Sequence, residues 1–107
     1  GTVRRADMEI NGVSFPMETI TEICRRYGAA KLSLFGSILR DDFHAASDVD
    51  ILVEFDPATR IGLIGVAKME GELSEAVGRR VDLRSAGDLS RYFRDEVVAG
   101  ARLLHAA

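Results

Sequence analysis

The stretch that most restricts this chain is "DVDILVEF", residues 48 to 55. Branched and aromatic residues dominate it and Asp56-Pro57 ends it, so it reads as a β-strand. Two aspartates stand at its entrance. Side chains alternate across a strand, so Asp48 and Asp50 point to one face, with Cα atoms roughly 6.5 Å apart. Two carboxylates at that separation repel by about 2.5 kcal/mol at an effective dielectric of 20. A solvated strand edge tolerates such a pair, whereas a partly buried face calls for a cation.

The flanking segments supply the rest of a fold. Ile20, Ile23, Cys24 and Tyr27 recur at i, i+3, i+4, i+7, which with Pro16 before and Gly28 after predicts a helix over about 16–27. Ahead of it, "MEINGVSF" carries Asn11-Gly12 between apolar stretches, the signal for a tight hairpin. "KLSLF", 31–35, reads as a short strand that meets a turn at Gly36, and residues 37–43 as a short helix. Val66, Met69, Leu73, Ala76 and Val77 predict a second long helix stopped by Gly78. "RRVDLR", 79–84, reads as a third strand, and Leu89, Phe93, Val97 and Leu104 as one face of a closing helix. The expected fold is α+β (α/β), a small mixed sheet flanked by helices.

Length and composition fit that picture. A chain of 107 residues, 47% apolar and 29% charged, is the size of one small folded domain, expected to span 1–107 with Gly1-Thr2 set aside as a cloning remnant. A net charge of −3 argues against a general nucleic-acid coat, which needs a basic face. It leaves room for a nucleotide, because a bound divalent ion dominates the local electrostatics of a phosphate site. Cys24 is the one cysteine, so no internal disulfide forms; it is expected in the core, and a reducing, cytoplasmic setting is expected for the protein. The longest apolar run, 61–67, falls far below the ~20 residues that span a bilayer, and no membrane association is expected.

Two further features converge on Asp48 and Asp50. Asp82 sits inside a predicted strand between Val81 and Leu83, where a charge needs a reason; if that strand lies beside 48–55, all three carboxylates share a face. Paired divalent ions held by such groups form the clamp used in nucleotidyl transfer. Gly36-Ser37 offers close backbone approach, the free amides of a helix N-terminus and the Ser37 hydroxyl to phosphate oxygens. Taken singly, Asp-x-Asp fits a wet strand edge and Gly-Ser a plain turn; the combination favours a nucleotide site. An EF-hand loop fails because Ile51 and Leu52 follow Asp50, and a Walker loop fails for want of Gly-Lys-Ser/Thr. His44 and His105 do not stand at ligand spacing.

At these residues the chain resembles the DNA polymerase beta nucleotidyltransferase superfamily, whose pattern of Gly-Ser, Asp-x-Asp and a later Asp is matched by Gly36, Ser37, Asp48, Asp50 and Asp82. It most resembles the minimal nucleotidyltransferases (MNT) of HEPN/MNT antitoxin type, with Arg40 and Ser47 completing Gly-Ser-x-x-Arg and Ser-Asp-x-Asp. One departure is that Leu39 and Asp41 flank Arg40 where many members carry small residues. The resemblance implies metal binding by Asp48, Asp50 and Asp82, with two Mg2+ ions expected, and nucleotide binding by Gly36, Ser37 and Arg40. It further implies transfer of AMP from ATP to a hydroxyl on a HEPN-type toxin encoded nearby, with the chain acting as antitoxin. The alternatives are a binding module that neutralises a partner by occlusion, and a stand-alone transferase for a small molecule.

Overall fold

The computed structural model describes residues 7–107, so the expectation for Gly1-Thr2 lies outside the described residues. The chain begins with a hairpin of β1 (Met8–Ile10) and β2 (Val13–Phe15). Asn11 and Gly12 at its tip take positive φ of 53° and 82°, the handedness that matches the twist of two-residue hairpins. Helix α1 (Met17–Tyr27) follows and buries Met17, Ile20, Ile23 and Cys24. Burial pushes the Cys24 thiol up to about 11, as suits an inert core residue.

A four-stranded mixed sheet forms the centre, in the order β5-β4-β3-β6. Strand β3 (Ala29–Phe35) pairs antiparallel with β4 (Val49–Phe55), and β4 pairs parallel with β5 (Val81–Ser85). Between β4 and β5 runs α2 (Leu63–Val77), closed by Gly78. One face of the sheet presents Leu32, Leu34, Val49, Ile51, Val53, Val81 and Leu83 to the core formed with α1, α2 and the hairpin. The period-2 alternation in β4 therefore leaves Asp50 and Leu52 on the opposite face.

The outer edge of β5 is closed by side chains. Val81 N–H donates to Ser74 Oγ at 3.0 Å, Leu83 N–H to Glu70 Oε2 at 2.8 Å, and Ser85 N–H to Asp88 Oδ2 at 3.1 Å. Both Ser74 and Glu70 come from α2, so the helix that covers the core also satisfies the strand's outward amides.

Three local expectations are corrected. The closing helix is short: α3 covers only Arg94–Gly100, and Leu104 belongs to a sixth strand, β6 (Arg102–Ala106), antiparallel to β3. Ala101 turns extended, with φ −68° and ψ 143°, and the segment after it satisfies the open edge of β3 while burying Leu104 to 4% exposure. Phe93, expected on the buried helical face, is 53% exposed. The helix expected over 37–43 is a four-residue 3-10 turn, Gly36–Leu39, after which Arg40 is extended. Asp48 stands just before β4 rather than within it.

Because β5 and β6 occupy opposite edges, the chain between them must cross β4 and β3. It passes over the face that α1 and α2 leave open, and Val98 and Ala101 there wall a groove of about 370 Å³ with Ser33, Leu52 and Leu103. Among the described residues, no helix is long and apolar enough to cross a membrane.

Candidate active site

The site is a row across the open face. Parallel pairing of β4 with β5 sets Asp50 opposite Asp82, and antiparallel pairing sets Phe35 opposite Asp50 on the other side. Adjacent strands lie about 4.8 Å apart, so the two aspartates are near neighbours on one face. Asp48, two residues before Asp50, stands exposed at the entrance of the row. The three candidate carboxylates thus gather where β4 and β5 begin.

Electrostatics record that gathering. The Asp50 carboxyl is raised above its usual value, first by burial, then by the charges of Asp82 and Asp48, with Arg84 and Arg40 opposing. Asp82 is held by its i+2 neighbour, Arg84 Nε lying 3.2 and 3.3 Å from its two oxygens. A cation in the row would relieve the repulsion on Asp50.

Gly36 closes the row from the β3 side. Its φ of 74° is left-handed, and a Cβ added there would overlap Asp50 Oδ2 and stand 3.2 Å from the carboxyl carbon. Only a residue without a side chain lets the turn reach this carboxylate. Ser37 follows in the 3-10 turn, whose carbonyl accepts from Arg40 N–H at 2.9 Å. Glycine therefore brings the Gly36–Leu39 turn and the carboxylate row together.

Arg40 is exposed and pairs with Asp42, Nε to Oδ1 3.2 Å, so in this structure the ion pair engages it. Asp41 is exposed as well. Two residues absent from the sequence expectations support the site. Asn11 at the hairpin tip donates from Nδ2 to the carbonyls of Ile38 (3.2 Å) and Arg40 (3.0 Å), bracing the turn from 27 and 29 residues away. Arg79 donates to carbonyls of the loop before Asp48. Neither carried a local signal of this bracing role, since both act through backbone groups distant in sequence. His44 is exposed, and its Nδ1 accepts the Ala46 amide at 3.2 Å.

Among the described residues, no group of three or more His, Cys, Asp or Glu side chains is arranged so that it could hold a metal ion. Magnesium is commonly held by one or two carboxylates together with waters and substrate phosphates, so it does not require three protein ligands already in place. The hard oxygen donors of Asp48, Asp50 and Asp82, and the repulsion at Asp50, fit such an ion.

Comparison with known proteins agrees with the geometry. The profile of the nucleotidyltransferase domain matches residues 16–104. A Methanocaldococcus jannaschii protein assigned as a protein adenylyltransferase is 30% identical over 91 residues, covering 85% of this chain and 92% of its own. A solved structure assigned as a minimal nucleotidyltransferase superposes with a TM-score of 0.65 at 29% identity, over 83% of this chain and 87% of that one. A toxin–antitoxin complex with AMP-PNP contains a chain that superposes with a TM-score of 0.66 at 25% identity, over 85% of this chain and 73% of that one. From α1 through β6, over the glycine–serine turn and the aspartate row, this chain belongs to the nucleotidyltransferase-domain family and is similar to its minimal members.

Proposed function

We propose that residues 1–107 act as one nucleotidyltransferase domain that moves AMP from ATP to a hydroxyl of a partner protein, a HEPN-type toxin that this chain neutralises as antitoxin. The observation that carries the reading is the register of Asp50 against Asp82, with Gly36 packed on Asp50. Two carboxylates beside a glycine turn support metal ligation and phosphate binding by neighbouring groups. The assignment of the archaeal relative supports adenylyl transfer to protein, and the toxin–antitoxin complex with AMP-PNP supports both nucleotide and partner.

In this reading the acceptor oxygen bonds to the α-phosphorus as the bridging P–O bond to the β-phosphate breaks. Pyrophosphate leaves, and the hydroxyl proton passes to solvent. Gly36 and Ser37 hold the departing phosphates, and Asp82 faces the acceptor. Magnesium, when bound by Asp48, Asp50 and Asp82, supplies charge compensation to the triphosphate and acidity to the hydroxyl. Arg40, once released from Asp42, is placed to steer phosphate.

The test is incubation with α-labelled ATP, magnesium and the HEPN-type protein encoded beside it. Label on the partner supports the reading; a complex that forms without label sinks the transfer. Neutralisation that survives the double change Asp48→Asn, Asp50→Asn favours occlusion instead.

A further inference from the structure

Arg79 lies outside the carboxylate row, in the short link between α2 and β5. Its Nη2 donates toward three backbone carbonyls of one loop, those of His44 at 3.0 Å, Ala45 at 3.3 Å and Ser47 at 2.8 Å. The guanidinium carbon also sits 4.7 Å from the centroid of the Phe43 ring. Residues 43–47 are the loop that delivers Asp48.

Among the described residues the loop's other hydrogen bonds are internal, while the Phe43 side chain at its start packs against the core. Ser47 N–H donates to His44 O at 2.9 Å, His44 N–H to Ser47 Oγ at 3.1 Å, and Ala46 N–H to His44 Nδ1. These shape a turn without fixing it to the sheet. Its ties to the link before β5 are the Arg79 side chain and, one residue past Asp48, the Val49 N–H that donates to Arg80 O at 2.8 Å. A planar guanidinium can stack on an aromatic ring and donate in its own plane at once; a lysine ammonium cannot reproduce that fan.

We propose that Arg79 is a positioning residue for nucleotidyl transfer, holding loop 43–47 so that Asp48 stands in the row with Asp50 and Asp82. This rests on the reading of those carboxylates given above. The link before β5 thereby serves both strands, since the same few residues lead into Asp82 on β5 and hold the loop that carries Asp48 to the entrance of β4. Partners that orient metal-facing ligands typically change metal affinity or activity by about 10- to 100-fold.

The experiment compares Arg79→Ala, Arg79→Lys and the neighbouring exposed Arg80→Ala in the full chain. Hydrogen exchange of the Ala46 and Ser47 amides, Mn2+ binding by electron paramagnetic resonance, and the magnesium dependence of transfer are measured below the unfolding transition. Arg79→Ala is expected to speed exchange of those two amides while leaving Ile51 protected. It should also weaken Mn2+ binding and raise half-saturating magnesium by about 10-fold or more. Arg79→Lys should fall between, and Arg80→Ala should match the wild type. A folded Arg79→Ala protein with wild-type exchange, or with faster exchange but unchanged Mn2+ binding, overturns the proposal. Should the alanine variant not fold, Arg79→Lys decides by the same two measurements. If the wild type binds Mn2+ but labels no acceptor, the functional reading fails while exchange and Mn2+ binding still judge Arg79.

Discussion

Gly36 lies so close to Asp50 that a Cβ there would overlap Oδ2 and force the carboxylate aside. Gly36→Ala therefore combines a left-handed backbone penalty of about 1–2 kcal/mol with displacement of Asp50. Gly12→Ala is the matched control, having φ of 82° and open space around it. Both variants should lose stability in thermal unfolding, and only Gly36→Ala should also lose nearly all AMP transfer.

Asp50 predicts a pH signature. Its folded carboxyl titrates above the ordinary 3.8 because burial, Asp82 and Asp48 disfavour the charge. The protonated form is thus preferred by the folded state: the stabilisation is complete below 3.8 and disappears as pH rises through the raised folded value. At neutral pH, Asp50→Asn should unfold at a higher temperature than the wild type, and the gain should shrink as the pH is lowered through that window. Magnesium should raise the unfolding temperature of the wild type and not of the variant, which should be inactive.

Glu70 predicts a local loss. Its Oε2 accepts the Leu83 amide, next to Asp82. Glu70→Ala leaves that amide without its acceptor, at a cost of about 1–3 kcal/mol. Chemical denaturation should register the loss, and hydrogen exchange should place it at Leu83.

Leu104 and Phe93 separate a strand from a helix at the C-terminal end. Leu104→Ala should destabilise by about 2–5 kcal/mol, the range for a truncated buried leucine. Phe93→Ala should cost far less, since the ring is 53% exposed. Equal losses would restore the single closing helix.

The sheet's centre was legible in the sequence because local pattern and tertiary role agree there. "DVDILVEF" alternates, and its alternation is what sends Asp50 one way and Ile51 the other. Asp82 was readable because a charge between two buried apolar neighbours is an anomaly that pairing with β4 resolves. The C-terminal end was not readable by the same means. Phe93 and Val97 are four apart and Leu104 seven further on, a spacing that a helix satisfies and that a short helix followed by a strand satisfies equally. What decided was the vacant edge of β3, which no local window contains. Asn11 and Arg79 were invisible for a related reason: each serves the site by donating to backbone carbonyls, which leave no mark on the sequence of the partner segment.

The side chains of Ser74, Glu70 and Asp88 along β5 carry a consequence for how this molecule meets others. An exposed strand edge is a template onto which any extended peptide can add itself. Here an intruder would first have to evict three acceptors that already serve the outward amides. The β5 edge is thereby closed to strand addition by another molecule.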